Sequence, residues 1–172
     1  MHAIDRLLGP TLRRVVAGCL LALASGCAIV ANVPPGISGD DLESRYGKPA
    51  ARHPLPGGAY DAEYPTAPYG QFCWMVRVVD GKVTQVRQVL TDQEFATVNI
   101  GTDNRESIRA HFGPPAEVLH LSFAQREVWS YRMKQSGVFP VLMNVQFDSS
   151  GVAREVFSSY DALFDSPGGD FN

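Results

Sequence analysis

Cys27 carries the clearest sign of chemistry in this chain. It closes the run Leu23-Ala24-Ser25-Gly26-Cys27, which follows the pair Arg13-Arg14 and a short apolar stretch. Small residues before a cysteine at the end of such a leader are typical of a site where a diacylglycerol is attached to the sulfur. The chain is then cut just before that cysteine. The sequence therefore predicts a lipid at Cys27, with palmitate among its acyl chains.

Residues 1–26 contain the parts of a bacterial lipoprotein signal peptide. Arg6, Arg13 and Arg14 supply the positive region, and residues 15–24 supply an apolar region. That apolar region has about half of the ~20 residues that a membrane-spanning helix needs. An ordinary secretory cleavage site, an uncleaved anchor and a twin-arginine signal are the alternatives.

Ala28 follows the cysteine and bears on which membrane would hold the anchor. Similarity to lipoproteins of Gram-negative bacteria implies that an Asp at this position would retain the protein in the inner membrane. We therefore expect Ala28 to direct the protein to the outer membrane, on the periplasmic side. Two or more acyl chains are enough for lasting attachment.

The thiol and imidazole groups of the remaining chain do not form a recognisable catalytic or metal-binding pattern. Cys73 lies in an apolar run, which favours a buried side chain over a reactive or intermolecular thiol. His53, His111 and His120 are not at metal-ligand spacing, and His111 and His120 are expected at the surface or at a cap. We therefore expect no enzyme activity, no metal and no cofactor.

Charge excludes one class of partner. The signal contains three of the 15 basic residues and one of the 18 acidic residues, which leaves 12 basic and 17 acidic residues and a net charge near −5. Nucleic acid binding needs clustered Lys and Arg. We therefore expect no nucleic acid partner and no electrostatic adsorption to anionic lipid, so the lipid anchor has to hold the protein at a membrane.

An internal repeat indicates how the mature chain is built. Residues 41–50 and 107–116 share the pattern apolar-x-x-x-aromatic-Gly-x-Pro-Ala. The two apolar residues of each copy lie on one helix face, the glycine ends the helix, and the proline forbids its continuation. Capping boxes at residues 91–94 and 103–106, the latter with Asp103 as cap, predict two short helices before the second copy's strands.

Strands follow each predicted helix. Period-two alternation and turn residues indicate strands over 71–79 and 82–90, joined by Asp80-Gly81, and over 117–123, 127–134, 139–147 and 152–158. Residues 53–69 are rich in Pro, Gly and Tyr and give no clear pattern. We divide the chain into a signal 1–26, a tether 27–35, a divergent first unit 36–90, a second unit 91–160 and a loose tail 161–172.

The second unit resembles the BamE-like (SmpA/OmlA) domain of outer-membrane lipoproteins. The matching features are Gly101-Thr102 between the helices, the helix end 112–115, the strand 128–132 and the strand and turn 145–152. Residues 36–90 resemble it weakly. The resemblance implies an α+β fold of two tandem units, each with short helices packed on a small antiparallel sheet, and a binding module instead of an enzyme.

Six residues are candidates for an interface. Trp129 and Tyr131 lie on one strand face beside Arg132, and aromatic residues and arginine are enriched at interfaces. The other candidates are the tyrosines of the Pro-rich segment: Tyr60, Tyr64 and Tyr69. For both groups, packing within the protein's own core or sheet is the alternative.

Three functions fit these patterns. The first is a periplasm-facing outer-membrane lipoprotein that binds envelope proteins as a scaffold or accessory in outer-membrane protein assembly or envelope integrity. The second is a module that binds cell-wall glycan or lipid through the tyrosine-rich segment. The third is an enzyme inhibitor with a tandem sheet, which rests on fold analogy alone.

Overall fold

The computed structural model of the protein describes residues 29–164. The predicted signal peptide, Cys27 and residues 165–172 of the predicted tail lie outside the described residues. Three short helices are present in the described part: α1 (Gly39–Tyr46), α2 (Asp92–Phe95) and α3 (Arg105–Phe112). Single turns of 3-10 helix occur at Val30–Asn32, Pro56–Gly58 and Ser122–Ala124.

Within residues 29–164, eight strands form two separate antiparallel sheets of four strands each, and in both sheets the strand order follows the chain. The first sheet contains β1 (Ala51–Pro54), β2 (Tyr60–Pro65), β3 (Cys73–Val79) and β4 (Lys82–Gln88). The second contains β5 (Glu117–Leu121), β6 (Arg126–Gln135), β7 (Phe139–Phe147) and β8 (Ala153–Tyr160).

Each sheet is preceded by an eight-residue helix, and the contacts of the two helices correspond closely. Ser38 caps α1 and bridges to Lys82, while Asn104 caps α3 and bridges to Val152. The first bridge therefore ties the start of its helix to the first residue of β4, and the second ties the start of its helix to the residue just before β8.

The C-terminal ends of the two helices also match. Gly47 and Gly113 end α1 and α3 with φ of 85° and 81°. The hydroxyl of Tyr64 donates to the Gly47 carbonyl at 3.0 Å, and that of Tyr131 donates to the Gly113 carbonyl at 3.4 Å. A tyrosine on the second strand of each sheet thus holds the carbonyl that the helix leaves without a partner.

The first sheet is buried on both faces, and β3 shows why. Val76 and Val78 join Leu42 in a first core between this sheet and α1. Cys73 and Met75 point the other way, into a second cluster that also contains apolar residues of α2, α3 and the second sheet. We call this second cluster the shared core: Cys73, Met75, Val89, Leu90, Phe95, Ile108, Phe112, Tyr131, Met133, Met143, Val145, Phe147 and Ala153.

The expected fold class is wrong. Strands, not helices, make up most of each half of the chain, where the first half is residues 36–90 and the second half is residues 91–160. The protein is therefore not two BamE-like units of short helices packed on a small sheet. The main reason is the segment over residues 53–69, where a turn containing Pro56 and Gly57 joins β1 to β2. β2 pairs with β3 and β1 pairs with β2, which completes a four-stranded sheet where the sequence indicated only one hairpin.

The structure also differs from the predicted tether and tail. Residues predicted as a tether are partly packed, since Val33 is buried in the first core and Val30 contacts it. Asp161, at the start of the predicted tail, is buried beside Arg132. Within residues 29–164, no helix is both long enough and apolar enough to cross a bilayer.

Candidate functional site

The candidate interface residues of β6 lie in or against the core. Tyr131 is 1% exposed and packs against Phe95 and Phe112. Trp129 is half-buried and meets the Phe147 ring edge-on at 5.0 Å. Their side chains therefore stabilise the second sheet and present little surface to a partner.

Arg132 is also buried, on the opposite face of β6. Its Nη1 donates to the Pro68 carbonyl at 2.7 Å, and its Nη2 pairs with Glu117. Its Nε lies 3.3 Å from the Asp161 carboxylate. Arg132 thus joins the first half of the chain, β5 and the segment after β8, and its guanidinium is not available to an external ligand.

The three tyrosines do not form a continuous aromatic surface. Tyr64 is buried at its bond to Gly47, and burial raises the pKa of its hydroxyl to about 12. Tyr60 is half-buried beneath the guanidinium of Arg52, and only Tyr69 is well exposed, at 73%. A single exposed ring is a poor stacking surface for a sugar chain.

A buried polar cluster lies between the halves and was not predicted. The Glu63 carboxylate has no solvent exposure. It accepts two hydrogen bonds from Arg109 of α3, at 2.6 and 3.2 Å, and lies 2.8 Å from Nε2 of His53. Glu63 and Arg109 are 46 residues apart in the chain, so no local pattern indicates their pairing.

Cys73 lies beside this cluster, and the site has little reactivity. Burial, together with the Glu63 charge, raises the pKa of the Cys73 thiol to about 12. A thiol with so little thiolate near neutral pH is a poor nucleophile. No group of three His, Cys, Asp or Glu side chains within residues 29–164 could hold a metal ion. What the structure shows for this cluster is a contact between the two halves, through Glu63 and Arg109.

One exposed apolar feature is the edge strand β5 with the turn that follows it. Val118 is 48% exposed, Leu119 is 56% exposed, and Phe123 is 95% exposed. Val118 and Leu119 are neighbours, so they point to opposite faces of the strand. In the described part of the chain β5 pairs only with β6, which leaves its outer backbone groups open.

The edge strands differ in how strongly they discourage pairing with another chain, and β5 is the one whose exposed side chains include an adjacent apolar pair. Natural edge strands are protected by short length, Pro or charged side chains. β1 has four residues and ends at Pro54, β4 begins with Lys82, and β8 has Arg154 and Glu155. β5 is also short and begins with Glu117, but it has neither Pro nor Lys, and Val118 and Leu119 are exposed.

A second apolar feature lies where the described chain begins. A groove of about 470 Å³ is lined mainly by apolar side chains of the first sheet and the residues before α1. Phe72 and Trp74 form one wall, with stacked rings 6.2 Å apart. Lys48 and Thr66 are its polar lining residues, and the others are Ile29, Val30, Ala50, Tyr64, Pro65, Phe72 and Trp74.

Comparisons with known proteins add little to this geometry. No protein-family model matches the chain, and a search of curated proteins finds no match. Among solved structures, the chain is similar to a DUF4309 family protein (YjgB) from Bacillus subtilis, with 19% identity and a TM-score of 0.31. That alignment covers 72% of this chain and 78% of the other. The resemblance to BamE-like domains is not tested by these comparisons and stays a prediction.

The edge strand and the groove were both missed as sites from the sequence. Residues 117–121 carry a recognisable strand pattern, but whether a strand lies at an edge depends on the whole sheet. The groove combines residues on four separate segments, 29–30, 48–50, 64–66 and 72–74. One available signal was the pair Phe72 and Trp74, two large aromatic residues around a strand start.

Proposed function

We propose that this protein is a lipid-anchored protein of the bacterial envelope that binds another envelope protein through β5 and has no catalytic role. The anchor is the diacylglycerol on Cys27, and Ala28 favours the periplasmic side of the outer membrane. The scaffold or assembly role predicted from the sequence is kept as part of this proposal.

The observation that carries the binding role is the unpaired edge strand β5 with its exposed apolar side chains. An open edge strand offers a row of backbone donors and acceptors to an extended segment of a partner, and side-chain pockets add specificity. Val118, Leu119 and Phe123 supply exposed apolar contacts on both sides of that edge. A partner that added a strand to β5 would cover them.

The alternative of glycan binding has weaker support. It depends on a surface of stacked tyrosines, and two of the three candidate rings are buried or half-buried. The β5 edge requires no rearrangement before binding. Protein binding at β5 is therefore the function we favour.

The anchor is tested by metabolic labelling and mass spectrometry. Cells grown with labelled palmitate should yield a labelled protein whose N-terminal peptide begins at an acylated Cys27. The Cys27→Ser variant should lose the label and leave the membrane fraction. An unacylated mature protein, or one recovered free of membranes, would refute the anchor.

The β5 interface is tested with a photoreactive amino acid placed at Leu119 in intact cells. We expect a discrete adduct with an envelope protein, and no such adduct from the same residue at Ser158 on β8, an exposed position on the opposite edge. Val118→Lys should abolish the Leu119 adduct, because a lysine on an edge strand opposes pairing with another chain. Ser158→Lys is the matched control. Equal adducts from both edges, or none, would contradict the proposal.

A further inference from the structure

The groove beside Phe72 and Trp74 is not used by the β5 interface, and its position relates it to the anchor. Ile29 and Val30, the first residues that the structure describes, form part of its lining. Cys27 is two residues before Ile29. Two extended residues span about 7 Å. A lipid on the Cys27 sulfur therefore begins within a short reach of the groove.

We propose that the groove holds one acyl chain of the lipid attached to Cys27. This inference rests on the proposed anchor and adds an intramolecular site for part of it. The remaining acyl chain or chains stay in the bilayer and keep the protein at the membrane.

The shape and chemistry of the groove favour a single hydrocarbon chain. The cavity volume of about 470 Å³ is within the range of small-ligand pockets, and Phe72, Trp74, Pro65 and Tyr64 give it aromatic and apolar walls. A flat bilayer surface meets protruding apolar groups but does not fill a concave groove. A flexible chain enters a groove and contacts both walls.

The free-energy balance also supports occupancy. A methylene that moves from the bilayer to an apolar groove exchanges one hydrocarbon environment for another, so the acyl chain itself gains or loses little. The groove walls, however, lose their contact with water when the chain enters. Removing apolar surface from water is favourable in proportion to its area. Exposed Phe72 and Ile29 are the side chains with the most to gain.

Trp74 provides the measurement, because the sequence has only two tryptophans. In the Trp129→Phe variant, Trp74 is the single fluorescent indole. We would compare the acylated protein in phospholipid vesicles with its Cys27→Ser counterpart, after mass spectrometry has established acylation. The acylated protein should show emission at shorter wavelength and severalfold weaker quenching by acrylamide. Spin-labelled phospholipids should not quench it.

A substitution that fills the groove provides the matched control. Ala50 is an exposed lining residue, so Ala50→Arg should remove the difference between acylated and unacylated protein. Ala110→Arg, at an exposed position of α3, should leave that difference intact. Where Trp129→Phe prevents folding, hydrogen exchange at residues 64–66 and 72–74 of the otherwise native sequence gives the same comparison, with protection expected only in the acylated protein.

Each of the other outcomes would refute the acyl site, either alone or together with the Cys27 anchor. An acylated protein with Trp74 as accessible to acrylamide as in Cys27→Ser refutes the acyl site and leaves the anchor standing. Quenching of Trp74 by spin-labelled lipid also refutes it, because the groove is then inserted in the bilayer. Absence of acyl groups by mass spectrometry refutes the anchor and the acyl site together.

Discussion

At the scale of single residues, Glu63 shows how a charge is kept inside this protein. Its carboxylate is fully buried, and it is held by Arg109 from one side and His53 from the other. Arg109 remains 37% exposed, so its guanidinium keeps part of its hydration while it pairs with Glu63. The pair therefore avoids much of the desolvation penalty that two fully buried charges would incur.

Glu63→Gln should destabilise the protein by about 1–3 kcal/mol, the range for losing a hydrogen bond to a charged group. The substitution also replaces one carboxylate oxygen with an amide NH2 group, a buried donor that would face the N–H donors of Arg109. The value should fall below that for breaking a fully buried pair, because water can reach Arg109. Urea unfolding measures it. Glu155→Gln, at an exposed position of β8, is the matched control and should change little. Equal effects would show that the buried charge contributes nothing specific.

Asp148 stabilises the turn between β7 and β8 and makes stability depend on pH. Its side chain accepts hydrogen bonds from Ser150, from the Val152 amide and from Arg154, and these lower the pKa of its carboxyl well below the usual value of 3.8. A carboxylate with a lowered pKa in the folded state adds stability above its unfolded pKa, and that stability is lost as pH falls toward the folded pKa.

Asp148→Asn should therefore lower the urea midpoint by a constant amount at pH 5–8. The difference from the unsubstituted protein should shrink progressively below about pH 4, where the unfolded chain begins to bind a proton at Asp148. Urea titrations at several pH values between 2.5 and 8 provide the measurement. A difference that stays the same at pH 3 would contradict the role assigned to the carboxylate charge.

At the scale of elements, the local signals in the sequence predicted local structure well. Thr91 caps α2 by accepting a hydrogen bond from the Glu94 amide, as the capping box indicated. Asp80 and Gly81 both have positive φ, which is the geometry of the two-residue hairpin turn that the Asp-Gly pair predicts. The cap of α3 is Asn104 and not Asp103, an error of one residue. Asp103 instead accepts hydrogen bonds from the Ser107 hydroxyl and the Asn99 amide.

The errors arose where tertiary contacts decide the outcome. β2 reads Tyr-Asp-Ala-Glu-Tyr-Pro, and its two acids argue against a buried strand. Asp61 and Glu63 lie on one face of the strand, where they are buried because Arg77 pairs with Asp61 and Arg109 pairs with Glu63. The other face carries Ala62 and Tyr64, which belong to the first core. Neither arginine is near β2 in sequence. A period-two pattern cannot reveal an acid whose partner comes from another element.

Gly47 and Gly113, which end α1 and α3, have the same backbone conformation but different surroundings, so comparing them tests the effect of packing. Both have positive φ with ψ near 180°, a conformation that is nearly restricted to glycine. A Cβ on Gly47 would meet nothing within 4 Å, whereas one on Gly113 would lie 2.7 Å from the Cys73 sulfur. Only the second glycine is also required by close contact between the halves.

Gly47→Ala should therefore cost about 1–3 kcal/mol from backbone strain alone. Gly113→Ala should cost more, because the added methyl group collides with Cys73. In a Cys73→Ala background the cost of Gly113→Ala should fall, while that of Gly47→Ala should not change. Chemical denaturation of the resulting double-mutant cycle isolates the contact. Equal costs for the two glycines in both backgrounds would show that α3 is not packed closely on β3.

At the scale of the whole molecule, the two halves are joined by a continuous interior. The shared core takes Cys73, Met75, Val89 and Leu90 from the first half and the remaining members from α2, α3 and the second sheet. Glu63–Arg109 and Arg132–Pro68 add polar contacts across the same boundary. Either unit on its own, residues 36–90 or residues 91–160, has only roughly 60 residues and would bury too little surface for secure folding.

This arrangement predicts that residues 36–90 and 91–160 unfold together. Trp74 on β3 reports on the first sheet and Trp129 on β6 reports on the second, so Trp129→Phe and Trp74→Phe each leave one sheet visible by fluorescence. Within each variant, the fluorescence midpoint in urea should coincide with the far-ultraviolet circular dichroism midpoint, since coincident transitions by different probes indicate all-or-none unfolding. The comparison is made within a variant because each substitution shifts stability by its own amount. Fluorescence and circular dichroism midpoints that separate in either variant would show that one sheet survives the loss of the other, and the shared core would then not couple them.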